Sequence, residues 1–192
     1  MFLVLHGETE LNTAGRAQGR CDSRLTEKGR REGEVLGHKL RDLLNGAPPR
    51  NLISSTLGRC YATAAIVAEG IGVAPDAITT DRRLDEVDLG VWECLTKKEI
   101  KQGWPEEMKG ATDYDWYFRA PGGERYTDVE RRLRDWLQSV GDDHARLIVV
   151  GHGIASCVLR GLYTGIAPER ALQLDVDRDA VFVLDAKDVA KI

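Results

Sequence analysis

Two short apolar runs, each ending in histidine and glycine, constrain the fold of this chain more than any other feature. Residues 2–5 (FLVL) lead into residues 6–7 (HG), and residues 146–150 (RLIVV) lead into residues 151–153 (GHG). Apolar runs of this length are typical of strands that are buried on both faces of a parallel sheet. The carboxyl edge of such a sheet is where open α/β folds bind their ligands. The sequence therefore predicts two histidines at one ligand-binding edge.

Candidate helices and strands alternate through the rest of the chain. Thr26 is a good N-cap for an amphipathic helix that ends at residues 45–49 (NGAPP). The last two apolar segments, on either side of residues 177–179, predict a hairpin. The predicted strands are 51–54, 77–80, 172–176 and 180–184, and the further predicted helices are 57–69, 124–140 and 154–162. This alternation predicts an α/β fold with a mostly parallel sheet and an antiparallel edge.

Length and composition favour one globular domain. We interpret the 192 residues as a single domain, 1–192, with a helical insertion at about 90–123 that covers the pocket. A net charge of −4 without a basic tract gives no support for nucleic-acid binding, and the apolar runs are too short to span a membrane. The four cysteines show no CxxC spacing, so we expect free thiols and a cytoplasmic location.

A third strand-to-helix junction adds an arginine to the two histidines. Arg59 falls in the first turn of the helix that follows the strand 51–54. Because the carboxyl ends of parallel strands share one edge, His6, Arg59 and His152 are expected to meet there. A forked cation and helix N-termini are what a phosphate dianion needs, and a neutral imidazole can act as a nucleophile. A surface salt bridge for Arg59 and simple hydrogen bonding for the histidines are the alternatives.

Short motifs in a fixed order give residues 1 to about 160 a resemblance to a known enzyme family. The motifs are 6–9 (HGET), Asn12, 15–19 (GRAQG), 22–26 (DSRLT), 54–64 (SSTLGRCYATA), 84–86 (LDE), 90–93 (GVWE), 121–124 (PGGE) and 150–153 (VGHG). Together they resemble the histidine phosphatase superfamily, which includes cofactor-dependent phosphoglycerate mutases and small broad-specificity phosphatases. The resemblance implies a phosphoglycerate mutase-like, three-layer α/β/α fold.

The same resemblance implies a role for each site residue. His6 is expected to be the nucleophile that carries the phosphoryl group, while Arg59 and His152 hold its oxygens. Glu86 is expected to donate a proton to the leaving alcohol and then to activate water, which suits a reaction whose leaving alkoxide is poor. The residues expected to bind substrate are Thr9, Asn12, Gln18, Gly19 and Ile154. His38 and His144 are expected at the surface without a role.

One central position departs from the family pattern. The signature has an arginine immediately before the nucleophilic histidine, and here that residue is Leu5. An arginine that stabilises a transferring phosphoryl group can be worth roughly 10³–10⁵ in rate, and leucine offers neither donor nor charge. The enzyme could be slow, catalysis could be lost with phosphate binding kept, or the sequence could be altered at this position. Alternatively, a nearby arginine could reach the phosphate, and the candidates are Arg16, Arg20, Arg82, Arg83 and Arg125.

Two features favour a phosphatase over a mutase. Only the 65 residues 87–151 separate Glu86 from His152, whereas the family's mutases are generally longer there, and Gln18 stands where mutases tend to carry threonine. We therefore expect hydrolysis of a small phosphorylated metabolite by a monomer or homodimer, with no metal and no cofactor. A mutase, or a binding protein that senses a phosphorylated ligand, is the alternative. The substrate is not readable from the sequence, and its recognition is expected from residues 91–120 and 16–24.

Overall fold

A six-stranded sheet lies at the centre of the computed structural model, which describes residues 1–142 and 144–192. The strands run in the order β3-β2-β4-β1-β5-β6. They are β1 (Phe2–Leu5), β2 (Asn51–Ser54), β3 (Ile78–Thr80), β4 (Leu147–Gly151), β5 (Phe182–Asp185) and β6 (Asp188–Lys191). Strands β1 to β4 are parallel, and β5 and β6 form an antiparallel edge. The predicted sheet architecture is confirmed.

The helices follow the strands much as the sequence predicts. They are α1 (Glu10–Thr13), α2 (Glu27–Leu44), α3 (Gly58–Ile71), α4 (Lys97–Gly103), α5 (Pro105–Met108), α6 (Tyr126–Val140), α7 (Gly153–Thr164) and α8 (Pro168–Ala171). Thr26 caps α2, since its hydroxyl oxygen accepts a hydrogen bond from the Gly29 N–H. Among the described residues, no helix is long and apolar enough to cross a bilayer.

The two faces of the sheet bury separate apolar clusters because side chains alternate along each strand. Val4 and Val150 point to the face that α2 and α3 cover. Leu3, Leu5 and Val149 point to the opposite face, where α6 and α7 pack. Leu5 is only 2% exposed, and burial of such a side chain contributes about 1.5–3 kcal/mol. The predicted three-layer α/β/α arrangement is confirmed.

The segment 90–123 contains α4, α5 and two short 3-10 turns, Gly90–Trp92 and Trp116–Arg119. Its tryptophans pack together, with the Trp92 ring centroid 6.3 Å from that of Trp104 and 6.2 Å from that of Trp116. Trp92 is fully buried and belongs to the apolar cluster on the α6 and α7 face. These rings are therefore packing residues of the segment.

The predicted final hairpin is wrong in its first strand. Residues 172–174 form a turn after α8 and 175–176 are irregular, and the observed hairpin pairs β5 with β6. The N–H groups of Leu172 and Leu174 donate to the carbonyls of Pro168 and Ala171, so turn hydrogen bonds take the place of a strand ladder. The Asp175 carbonyl accepts from the Arg160 guanidinium, which also ties this stretch to α7.

The expectation of four free thiols is also wrong. Cys21 and Cys94 form a disulfide, with their Cα atoms 6.6 Å apart, while Cys60 and Cys157 are free and buried. The bond joins the loop that follows α1 to the segment before α4, which lie 73 residues apart in sequence. Sequence spacing alone does not show such a contact, because the pairing depends on the fold.

Removing the disulfide is expected to lower the melting temperature by roughly 10 °C. The loss of chain entropy in the unfolded state contributes about 4 kcal/mol to the free energy of unfolding when a disulfide closes a loop of this length. The test compares thermal unfolding of the unmodified protein, with and without dithiothreitol, and of the double variant C21S/C94S. The double variant should not respond to dithiothreitol. Alkylation of both cysteines in the unreduced, denatured protein would contradict the bond.

Candidate active site

A pocket of about 340 Å³ opens where β1 and β4 end. Residues line it from the loops that follow both strands, from the loop after α1, from the segment 90–123 and from the turn before β5. Its lining residues are His6, Asn12, Gly15, Arg16, Ala17, Gln18, Gly19, Arg59, Glu86, Val87, Leu89, Lys97, Trp116, Tyr117, Gly153, Ile154, Val176 and Arg178. Of the residues predicted for the site, the pocket brings together His6, Asn12, Gln18, Gly19, Arg59, Glu86 and Ile154.

Strand register places the two histidines side by side. Leu5 pairs with Gly151 across the parallel β1–β4 ladder, and the His6 N–H donates to the Gly151 carbonyl at 3.0 Å. The next residue on each strand is a histidine, so both imidazoles leave the sheet at the same edge. Their ring centroids are 5.3 Å apart in an edge-on arrangement.

The imidazole of His6 is oriented by the neighbouring backbone. Its Nδ1 lies 2.8 Å from the Gly7 carbonyl oxygen, which can only accept a hydrogen bond. Nδ1 therefore carries the proton, and Nε2 keeps a free lone pair. Burial, with a further contribution from the Arg59 charge, lowers the pKa of His6 to about 3. The side chain is thus a neutral imidazole with an available Nε2 in the pocket.

Two glycines hold the backbone after His6 in place. A β-carbon at Gly7 would overlap the carbonyl of Gly29, and one at Gly29 would overlap the carbonyl of Glu8. The first turn of α2 therefore packs backbone to backbone against this loop. The Gly7 N–H also donates to the Thr63 hydroxyl at 3.1 Å, which adds a second anchor from α3.

Arg59 is 2% exposed and is held by backbone oxygens of the adjacent loop. Its Nη1 donates to the Cys21 carbonyl at 2.9 Å, and its Nη2 donates to the Gly19 carbonyl at 2.7 Å. Its Nε is buried and has no hydrogen-bond partner among the described residues. Arg59 therefore brings positive charge to the pocket, and it fixes the loop that carries Gln18.

His152 lies behind His6 and outside the pocket lining. It is fully buried, and burial, followed by the Arg59 charge, holds its pKa well below the usual range. Its Nε2 lies 2.7 Å from the Ser55 hydroxyl oxygen, and that hydroxyl donates to Asp85 Oδ1 at 2.7 Å. The Ser55 oxygen therefore accepts from His152. The structure gives His152 a buried hydrogen-bonded relay, and its predicted contact with phosphate oxygens stays a prediction.

Thr9 also lies outside the lining. It is fully buried and caps α1, with its hydroxyl oxygen accepting from the Asn12 N–H at 3.3 Å. The Asn12 side-chain oxygen accepts in return from the Thr9 N–H at 3.1 Å. Thr9 thus positions Asn12, which does line the pocket. Direct binding of substrate by Thr9 stays a prediction.

Glu86 lies at the N-terminus of α7. Its Oε1 accepts from the Ala155 N–H at 2.9 Å and from the Val87 N–H at 3.1 Å, and its Oε2 accepts from the Ile154 N–H at 3.2 Å. Helix N-termini stabilise negative charge, so this placement is electrostatically favourable. The Ile154 N–H, predicted to bind substrate, donates to Glu86 in this structure. The Glu86 carboxyl group and the Ile154 N–H therefore lie together on one side of the pocket.

Five arginines were candidates to supply the charge that Leu5 lacks, and only Arg16 lines the pocket. The other four lie outside the lining. Arg20 pairs with Asp88 and Glu124, Arg83 pairs with Asp81, Arg125 donates to the Phe118 carbonyl, and Arg82 is exposed. Sequence reasoning missed Arg178, which does line the pocket, because residues 177–179 were interpreted as a hairpin turn.

Similarity to known proteins agrees with this geometry. The sequence profile described as "Histidine phosphatase superfamily (branch 1)" matches residues 1–191. The chain belongs to the histidine phosphatase superfamily. Over 183 residues it is 36% identical to "Probable phosphoglycerate mutase GpmB" of Salmonella paratyphi C (strain RKS4594), a match that covers 91% of this chain and 80% of that protein.

Solved structures of superfamily members share the fold. Bacillus stearothermophilus YhfR superposes with a TM-score of 0.79 at 31% identity, covering 98% of this chain and 93% of that one. The mycobacterial glucosyl-3-phosphoglycerate phosphatase in complex with VO3 superposes with a TM-score of 0.75 at 26% identity, covering 95% and 92%. The phosphoglycerate mutase-like fold predicted from the sequence is confirmed.

The two buried histidines are expected to stay neutral in mildly acidic solution. An unfolded-state imidazole takes up a proton near pH 6.5, whereas His6 in the folded protein does so only near pH 3. The free energy of unfolding should therefore fall as pH drops below 6.5. Histidine-detected NMR at pH 5 should show two neutral imidazoles.

The other histidine signals can be removed for this experiment. The chain has 4 histidines, and the double variant H38Q/H144Q retains only His6 and His152. The neutral signal that disappears on His6→Asn belongs to His6. A His6 ring that titrates near 6.5 in the folded protein would contradict its burial and its assigned tautomer.

Proposed function

We propose that the protein hydrolyses phosphomonoesters through a phosphohistidine formed on His6. The observation that carries this proposal is the His6 imidazole, which burial holds neutral and whose Nδ1–H donates to the Gly7 carbonyl. Its Nε2 is therefore nucleophilic in a pocket that also contains Glu86 and Arg59. Membership in the histidine phosphatase superfamily supports the same chemistry.

The proposed reaction has two steps that share one acid–base group. First, His6 Nε2 forms a bond to phosphorus as the phosphorus–oxygen ester bond breaks, and protonated Glu86 gives its proton to the departing alcohol oxygen. Second, a water oxygen attacks phosphorus, Glu86 takes a proton from that water, and the phosphorus–nitrogen bond breaks. Inorganic phosphate leaves, and His6 and Glu86 return to their starting states.

Charge and donors around His6 would hold the phosphoryl oxygens. The Arg59 guanidinium is a charged donor group, and the Asn12 and Gln18 side chains line the same pocket. Phosphoryl transfer depends on positioning and charge stabilisation more than on other protein chemistry, so such donors are its main requirement. The relay from His152 through Ser55 to Asp85 would keep the ring behind His6 fixed.

Hydrolysis is favoured over mutase chemistry by the short connection between Glu86 and His152 and by Gln18. The similarity of this chain to the mycobacterial phosphatase that was solved with VO3, at 26% identity, also favours hydrolysis. A mutase-type transfer is the second candidate, because GpmB at 36% identity carries the name of a phosphoglycerate mutase. A phosphate-binding protein with impaired catalysis, as Leu5 would allow, is the third.

The substrate class that we propose is a small phosphorylated metabolite. The pocket of about 340 Å³ has an apolar side that includes Trp116 and Tyr117, which belong to the residues 91–120 expected to give specificity. The reaction as proposed uses the side chains alone and needs no metal or cofactor.

A cytoplasmic location stays a prediction. The Cys21–Cys94 disulfide removes the argument for that location, which was the expectation that all cysteines are free thiols.

Loss of the nucleophile is expected to abolish turnover. His6→Ala should reduce metal-free hydrolysis of p-nitrophenyl phosphate to background, and Glu86→Gln should lower kcat by roughly 10²–10⁴. His38→Ala, at an exposed position on α2, is the matched control and should leave kcat unchanged. Protein quenched in alkaline denaturant should carry a phosphoryl group on nitrogen, which acid would hydrolyse, and this group should be absent from His6→Ala. Unchanged turnover in His6→Ala would refute the nucleophile assignment.

A second assay separates phosphatase from mutase. With 3-phosphoglycerate as substrate and 2,3-bisphosphoglycerate as primer, a phosphatase should release inorganic phosphate and form little 2-phosphoglycerate. Phosphorus NMR follows both products in one sample. Isomerisation that exceeds phosphate release would contradict the phosphatase proposal and favour the mutase.

A further inference from the structure

Four cationic side chains line the pocket, and three of them are already engaged by the protein. Arg16 donates to the Cys94 carbonyl at 2.6 Å and pairs with Glu99 at 3.2 Å. Lys97 pairs with Asp113 at 2.6 Å and lies over the Trp116 ring. Arg59 gives two of its nitrogens to backbone carbonyls. The fourth cation, Arg178, has no hydrogen bond or ion pair with any residue that the structure describes.

The turn that carries Arg178 is anchored by other cations. Lys191 on β6 pairs with both Asp175 and Asp177, and Lys39 on α2 donates to the Asp179 carbonyl at 2.7 Å. The Arg160 guanidinium also donates to the Asp175 carbonyl at 2.6 Å. Asp175 and Asp177 therefore pair with Lys191 and not with Arg178. The turn is held by three cations while the Arg178 side chain lines the pocket.

Arg178 lies close enough to act on the groups around the nucleophile. Its positive charge contributes, after burial and the charge of Arg59, to the lowered pKa of His6. It also contributes, after the Lys28 and Thr26 hydrogen bonds, to the lowered pKa of Glu8. The nucleophile and this guanidinium thus share one electrostatic environment inside one pocket.

The strand position before His6 supplies no charge of its own. Leu5 is 2% exposed and packs with Leu3 in the apolar cluster on the α6 and α7 face. Any guanidinium that meets the phosphoryl group beside Arg59 must therefore come from elsewhere in the chain.

We propose that Arg178 binds the transferring phosphoryl group and supplies the second guanidinium of the site. The proposal rests on the proposed function. Arg178 would donate hydrogen bonds to the non-bridging phosphoryl oxygens, in the ester and in the five-coordinate transition state, and would form no covalent bond. Leu5 would then mark a relocation of this charge to the turn before β5, not a loss of catalysis.

The test compares Arg178→Ala, Arg178→Lys and Arg178→Gln with the unmodified protein and with Arg170→Ala. Arg170 is exposed on α8 in the same region and does not line the pocket, so it is the matched control. The substrate is p-nitrophenyl phosphate, and the transition-state probe is orthovanadate. Melting temperatures check folding, and they should be unchanged because the Arg178 guanidinium makes no hydrogen bond within the described protein.

We expect kcat to fall by roughly 10²–10³ in Arg178→Ala, with partial activity in Arg178→Lys and none regained in Arg178→Gln. Inhibition by orthovanadate should weaken by at least about tenfold, and added guanidine hydrochloride should restore part of the activity of Arg178→Ala. A merely structural role would not respond to free guanidinium. Kinetics of Arg178→Ala within threefold of Arg170→Ala would overturn the proposal.

Failure of the proposed function has a different signature. An unmodified protein without turnover and without phosphohistidine refutes the phosphatase, and calorimetric titration with inorganic phosphate then decides the role of Arg178. Binding that is at least tenfold weaker in Arg178→Ala than in the unmodified protein supports the guanidinium as a phosphate ligand. Equal binding, or no binding by the unmodified protein, overturns it.

Discussion

The parallel pairing of β1 with β4 is the constraint on which the rest of the site depends. Because Leu5 pairs with Gly151, the residues that follow them leave the sheet together, and both are histidines. The same register places the first turn of α7 beside His6, where its N–H groups hold Glu86. A shift by one residue would turn the side chains of β1 to the opposite faces and separate these groups.

Sequence patterns predicted the parts of the fold that depend on local chemistry. The cap at Thr26, the apolar run of β4 and the motif around His6 each specify an element from within it. Turn hydrogen bonds after α8 and the Cys21–Cys94 bond depend on contacts between distant segments, which no local pattern records. Arg178 was missed for the same reason, since a charged turn is ordinarily solvated and only the fold brings this one to the pocket.

Burial and positive charge act together on the two imidazoles. Both effects disfavour protonation, so the two rings stay uncharged although cations line the pocket. For the reaction that we propose, the arrangement separates two requirements that a single histidine cannot meet, since a protonated ring would bind phosphate but could not attack it. In that reaction arginine would provide the attraction and histidine the lone pair.

The contact between Gly7 and Gly29 has a consequence for how the protein can vary. Neither position accepts a β-carbon, and each excludes one because of the other segment's backbone, so substitution is blocked at both for the same steric reason. Variant libraries designed to change substrate specificity would therefore leave the sequence of α2 unchanged. Variation belongs at Lys97 and Tyr117, whose side chains line the pocket without supporting the backbone that carries His6.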